Sequence, residues 1–347
     1  MKFGVMELFQ HPQGKTAKEV IDDAIDLAVT AEELGFDSIW LAEHHFSAYG
    51  LVGSPLLVAA AIAQRTERIK IGTAVLVLPL YNPVRLAEEI ALVDQMSGGR
   101  VQIGIGRGYL PEEFRGFALE QEHSREMADE AVEILIQAWT RDRVFFAGKH
   151  FSVDDVAVLP KPFQSPHPPV HHAAVSMSSF EKAGAAGVPI LTSPNFTPVQ
   201  TVRRQFAVYT AALAENGHDP AKFELPLMEQ VYVGESEAEA FDTPRESAMW
   251  YQAMLGARVP GATGKAPKGY EQWDRIAENM KSISYEEIVE KGANFGTAER
   301  AVERITTLRD DAGINSYLGW FSFGGLSRDL TLASVERFAK DVMPAFR

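Results

Sequence analysis

The chain contains no cysteine. Disulfides, thiolate metal sites, iron–sulfur clusters and a cysteine nucleophile are therefore excluded. It also has no apolar run near the ~18 residues that a membrane-spanning helix needs. Positive charge is scarce: 33 Lys and Arg stand against 47 Asp and Glu, a formal net charge of −14 with a pI near 5.2. No Lys/Arg cluster breaks that balance, so the basic footprint of a nucleic-acid binder is missing. The opening "MKFGVMELFQ" lacks the apolar core and cleavage site of a signal peptide and reads as a strand. The expected location is the cytoplasm, with no membrane or nucleic-acid partner.

The composition is that of a globular protein. Apolar residues make up 46% and charged residues 23% of 347 positions, enough for a large core. In the first unit, "KFGVMEL" is β-like. Thr16 and Glu19 form a capping box, Val20, Ala24, Leu27, Ala28, Ala31 and Leu34 recur at helical spacing, and Gly35 closes the helix. "SIWLAE" is the next strand. The alternation repeats, with Pro55 and Pro83 opening helices. It gives strands near residues 2, 38, 69, 101, 169, 189, 228 and 316. Strict alternation implies parallel strands with helical crossovers. Eight units point to the α/β class and a (β/α)8 TIM barrel with insertions, as one domain over residues 1–347. A doubly wound sheet is the alternative. "RVFFAGKHFSVDDVAVLP" is expected to form a small hairpin around Gly148. Gly256–Gly296 breaks the rhythm and begins rich in Gly, Pro and Lys; it reads as a long lid-like loop after the seventh strand.

In such a barrel, chemistry sits at the C-terminal ends of the strands. "EHHF" (Glu43–Phe46) lies where the second strand ends, and His44 suits proton handling near neutral pH. A hydrogen-bonded structural histidine beside a solvent-facing one is the plainer alternative. A metal site is not expected there, because HxH and HxxxH spacings are absent. "GIGRGYLPEEF" (Gly104–Phe114) lacks the dinucleotide fingerprint but lets backbone approach a flat or anionic ligand beside Arg107. "AAVSMSSF" (Ala173–Phe180) places Ser176 and Ser178 at a helix start suited to phosphate, or simply to capping. His171 and His172 lie within a strand and read as structural.

Several longer stretches resemble the alpha chain of bacterial luciferase and its relatives. They are "LAEHHFSAYGLVGSPLLVAA", "IGTAVLVLPLYNPVRLAEEIALVDQMSGGRVQIGIGRGY", "EEFRGF", "HSRE", "AAVSMSS", "GVPILTS", "FGTAERAVERI" and "DVMPAF". The likeness runs through nearly the whole chain. It implies a barrel that takes reduced flavin mononucleotide (FMN) from a separate flavin reductase. Oxygen adds at flavin C4a, and the peroxide oxidises a small or medium organic substrate. His44 matches the family's catalytic histidine. Arg107, Arg125 and Val175, Ser176, Met177 and Ser178 match the phosphate pocket. Ala74–Val75 match a non-proline cis peptide under the flavin ring. Glu43, Gly106 and Tyr109 complete the implied cofactor contacts. Phe46, Phe114, Phe117, Ser193 and Trp250 fall on the substrate side. The helices from Pro55 and Pro83 match a dimer interface, here of a homodimer. The chain departs from luciferase at Gly106, where the alpha chain carries a thiol, and in the segment from Gly256. Light emission from a long-chain aldehyde therefore does not follow. The family's deazaflavin (F420) dehydrogenases and a catalytically silent flavin-binding barrel are the alternative functions.

Overall fold

The computed structural model describes residues 1–192 and 199–347. The strands are β1 (Lys2–Glu7), β2 (Ser38–Leu41), β3 (Lys70–Thr73), β4 (Leu76–Val77), β5 (Val101–Gly106), β6 (Val144–Ala147), β7 (Ser152–Val156), β8 (Val170–Ala173), β9 (Ile190–Leu191), β10 (Pro226–Val233), β11 (Ala293–Gly296) and β12 (Ser316–Trp320). Ten of them make one sheet in the order β11-β10-β12-β1-β2-β3-β5-β8-β9, with β4 beside β5. Every ladder in it is parallel. The first and last strands of the chain are neighbours, and β9 returns against β10, so the sheet is curled. β6 and β7 form the expected antiparallel hairpin, separate from the sheet.

Parallel strands need long crossovers, and helices supply them. The helix ends follow local chemistry. Thr16 accepts from Glu19 N at 3.2 Å while Glu19 accepts from Thr16 N at 2.7 Å, closing the predicted capping box. Asn82 Oδ1 accepts from Val84 N and Arg85 N ahead of the Pro83–Ser97 helix. Strand alternation then splits the core into two layers. Val5, Ile39, Leu41, Ile71, Val231 and Tyr317 pack outward under the helices. Met6, Trp40, Met228, Leu318 and Trp320 pack inside the curl. Both faces are buried, which explains the nearly continuous apolar runs of these strands.

Two expectations need correction. Ala293–Gly296 is a strand, paired with Gln230–Val233. Four residues are too few for a periodic signal, so only the ladder reveals it. The segment from Gly256 is not mainly loop. It holds the Gln272–Ser282 and Tyr285–Lys291 helices, the second opened by a Ser284–Glu287 capping box. It is anchored by apolar side chains: Val259, Ala266, Tyr270, Ala277 and Met280 are buried.

Candidate active site

The site forms where β2, β3, β5 and β8 end. β2 stops at Leu41, and the loop beyond it carries the two histidines. His44 N donates to Val52 O at 3.1 Å. Its buried ring places Nδ1 3.1 Å from Glu113 Oε1. Glu113, also buried, accepts from His45 N at 3.1 Å. An Nδ1–H held by a carboxylate leaves Nε2 as the ring's acceptor. Tyr49 stands edge-on to the His44 ring at 4.5 Å, and its hydroxyl lies 3.1 Å from that of Tyr109. Gly50 passes so close that an added Cβ would lie 2.6 Å from His44 Cβ.

His45 turns the other way. Its Nε2 meets Glu43 Oε1 at 3.1 Å, while Glu43 Oε2 accepts from Val77 N at 3.1 Å and from the Tyr81 hydroxyl at 2.7 Å. Burial pushes the Glu43 carboxyl above the usual range, against the pull of these bonds. Both carboxylate oxygens of Glu43 are thus engaged by protein groups. Strand alternation does not carry past Leu41, so Phe46 does not share the side of His44. With φ +59, it lays its exposed ring on His45 and, at 5.2 Å, on Phe117. Gly116 permits this, because a Cβ there would strike the Phe46 ring. Phe114 is buried beneath Gly108, Trp250 is half-buried against the inner layer, and Ser193 lies outside the described residues.

The Ala74–Val75 peptide is cis, as the resemblance to the luciferase family implies. Gly106 faces it, since an added Cβ would lie 2.7 Å from Val75 Cγ2 and 3.6 Å from Ala173 Cβ. The same approach brings the Arg107 loop beside the loop after β8. Arg107 stacks on Tyr270, 3.9 Å from the ring centroid, and donates from Nη2 to Gly269 O at 2.5 Å. Burial lowers its pKa; Tyr270 and Glu271 oppose that shift and the nearby Arg125 adds to it. Arg258 and Arg304 meet Glu112 and Glu229, whereas Arg107 and Arg125 make no ion pair among the described residues. Two adjoining cations, one partly buried, suit an anionic group. After β8, Ser176 caps the Met177–Ala186 helix: it accepts from Ser179 N, and its hydroxyl lies 3.1 Å from that of Ser178. Val175 N and Ser176 N both donate to Ser179 Oγ at 3.0 Å, so Ser176 and Ser179 form the cap, and Ser178 reaches only the Ser176 hydroxyl.

The inserted segment covers this end. Tyr270 is buried, its hydroxyl 2.8 Å from both Gly108 O and Ser124 Oγ. Trp273 stacks on Tyr109 at 4.8 Å with rings 4° apart.

The family model for luciferase-like monooxygenases matches residues 1–316. This chain belongs to the luciferase-like monooxygenase family. An alkanal monooxygenase alpha chain from a symbiont of Kryptophanaron alfredi is 31% identical, covering 99% of this chain and 98% of that one. The alpha chain of Photorhabdus luminescens is 30% identical over 99% and 96%. Among solved structures, the monooxygenase RslO1 of Streptomyces bottropensis superposes with a TM-score of 0.86 at 26% identity, with full coverage of both chains. An FMN complex of the oxygenating constituent of 3,6-diketocamphane monooxygenase from Pseudomonas putida gives 0.81 at 21%, over 99% and 98%. An F420-dependent secondary alcohol dehydrogenase gives 0.78 at 21%, over 100% and 99%.

For this luciferase-like monooxygenase, sequence reasoning missed Glu113, Tyr49 and Tyr270. Glu113 lies 69 residues from its histidine, and only the tertiary fold joins them. A buried acid inside "EEF", at the site's end of the barrel, was the one usable signal.

Proposed function

We propose that the protein is a two-component monooxygenase that takes reduced FMN from a separate reductase. It uses O2 to oxidise a small or medium organic substrate, an aldehyde, ketone or hydroxylatable compound. The reading treats the curled sheet as a (β/α)8 barrel in a single domain, with the segment from Gly256 as its lid. The observation that carries it is the Arg107–Arg125 pair, which makes no direct ion pair among the described residues, at the same end of the sheet as His44. These arginines and the Val175–Ser178 turn would hold the phosphate. Ala74, Val75, Gly106 and Tyr109 would border the flat ring, for which Gly106 leaves room. Glu43 acts from behind, by fixing His45 and the backbone at Val77.

Bound reduced flavin supplies the electrons that activate O2. The chain supplies the setting. Glu113 holds His44 in one tautomer, so Nε2 can take and return a proton. The insert excludes water, which suppresses unproductive release of oxidant. Phe46 and Phe117 offer an apolar rim to the substrate. In solution the chain is proposed to be a homodimer, free of membranes and in the cytoplasm; no helix among the described residues is long and apolar enough to cross a membrane.

Turnover with photoreduced FMN under 18O2 tests this reading. Incorporation of labelled oxygen into the oxidised aldehyde or ketone is expected, over and above the spontaneous oxidation of free reduced FMN, and Arg107→Ala is expected to weaken reduced-FMN binding by about 2 kcal/mol, the worth of a charge-assisted bond. Hydride transfer from reduced F420 without O2 uptake would establish the dehydrogenase alternative instead.

A further inference from the structure

The sequence offers no thiolate, so imidazole and carboxylate are the ligands left to it for a transition metal. Among the described residues one group brings such ligands together. His123, Glu126 and His150 each present one donor atom, and the three atoms lie within 4.8 Å of one another. Two ligands at the ~2.1 Å of a zinc–nitrogen bond stand at most ~4.2 Å apart, so small side-chain rotations close the set round one ion.

Local chemistry sets the arrangement. His123 precedes the Ser124–Thr140 helix, and Glu126 stands in its first turn, three residues on, so the two share a face. His150 comes from the turn between β6 and β7. Glu130, one turn further along the helix, fixes that turn. Its carboxylate accepts from Lys149 N at 2.8 Å, His150 N at 3.0 Å and Phe151 N at 2.9 Å. His150 Nε2 then meets Glu126 Oε2 at 2.9 Å, and its ring lies 5.5 Å from that of His123. Lys149 Nζ donates to the same Glu126 oxygen at 2.7 Å, so a cation is already favoured at this point. An ion pair that merely held the hairpin would give His123 no task. Its side chain makes no hydrogen bond among the described residues, which leaves a ring nitrogen available as a ligand.

We infer that His123, Glu126 and His150 form a zinc-class divalent metal site that staples the β6–β7 hairpin to the first turn of the Ser124–Thr140 helix. Two imidazoles and one carboxylate suit Zn2+ over the oxygen-seeking Mg2+ and Ca2+, and three protein ligands leave one tetrahedral position for water. The proton on His150 Nε2 leaves as the ion binds, and Lys149 yields the shared oxygen. Ser124 and Arg125 lie between the two helix ligands. Ser124 meets the Tyr270 hydroxyl at 2.8 Å and Arg125 stands near Arg107, so the staple steadies the helix start that carries both.

The test titrates zinc sulfate into the untagged full chain against a colorimetric chelator. One ion per chain is expected, with a dissociation constant of about 1 μM or below, and saturating zinc should raise the thermal midpoint. Magnesium should leave both readings unchanged. His123→Ala and His150→Ala should each weaken zinc at least about 100-fold, beyond the loss of an outer-sphere partner, and abolish the thermal shift. Lys149→Met removes the ammonium that competes for Glu126. It should tighten zinc about tenfold, the worth of one charge-assisted hydrogen bond, whereas in an ion-pair cluster with no metal role it would only lower the midpoint. Lys149 is exposed, so this variant keeps the test open should a histidine variant fail to fold. No uptake at micromolar zinc, uptake that both histidine variants retain (an adventitious ion only), or zinc binding weakened by Lys149→Met would overturn the site. None of these measurements uses flavin, so the zinc site and the monooxygenase reading stand or fall separately.

Discussion

At the scale of the residue, two adjacent histidines divide two tasks because two acids divide them. His44 pairs with Glu113 and keeps one ring nitrogen toward the site; His45 pairs with Glu43 and is walled in by Phe46 and Phe117. His44→Ala is therefore expected to lower turnover by about 10²–10⁴ while flavin affinity holds. Glu113→Gln should lower turnover and shift its pH profile, because the ring loses its charged partner. His45→Ala should cost stability, since it strands a buried carboxyl. Stopped-flow turnover and thermal melts separate these; a dead His45→Ala beside an active His44→Ala would reverse the roles. Glu7 offers a second test. Burial raises its pKa from 4.5 to about 7, opposed by the Ser322 hydroxyl and Phe9 N–H. The native state then holds the proton more tightly. The stability this gives is complete below pH 4.5 and is lost as pH rises towards 7. His171, lowered by burial to about 4, has the opposite sign, with stability lost as pH falls from 6.5. It is common to wild type and Glu7→Gln, so it cancels in their difference. Melts of both proteins across this window should show wild type losing ground to Glu7→Gln as pH rises; a constant gap would refute the burial argument.

At the scale of the element, the Gly256–Lys291 insert covers the end of the sheet where His44 stands. It is held at one end by Tyr270 and Trp273, which sit on the same Arg107–Tyr109 turn that the flavin reading uses. Movement of the insert is therefore coupled to that turn. Tyr270→Phe removes the hydroxyl's contacts to Gly108 and Ser124 but keeps the ring under Arg107. Trypsin is expected to cut this variant faster at the exposed Lys265 and Lys268, and bound reduced FMN to slow the cutting. Equal cleavage rates in wild type and variant would show that the hydroxyl anchors nothing.

At the scale of the whole molecule, the dimer proposal narrows. On the two helices matched to a dimer interface, Leu56, Ala87, Ile90 and Ala91 are spent on the chain's own core. Leu57, Leu92 and Met96 remain exposed on the Pro55–Ala63 and Pro83–Ser97 helices, which pack together. Leu57→Glu with Leu92→Glu is expected to convert a dimer to a monomer in analytical ultracentrifugation, with little loss of fold, because both side chains are solvent-facing within one chain. A wild-type monomer at micromolar concentration would end the proposal.

The sequence by itself determined the strand–helix alternation, the cap at Thr16, the helix start at Pro83, and the end of the sheet at which His44 would stand. Each is written in residues a few positions apart, through periodicity or a local hydrogen bond. The tertiary structure alone decided the rest. It joined His44 to Glu113, turned Phe46 onto His45, set Tyr270 under Arg107 and gave Ala293–Gly296 a strand to pair with. These contacts link residues remote in sequence, and their energy comes from burial and from partners that no local spacing records. The same holds for His123, Glu126 and His150. Glu126 follows His123 within one helical turn, but only the packing of the hairpin on that helix brings His150 to them.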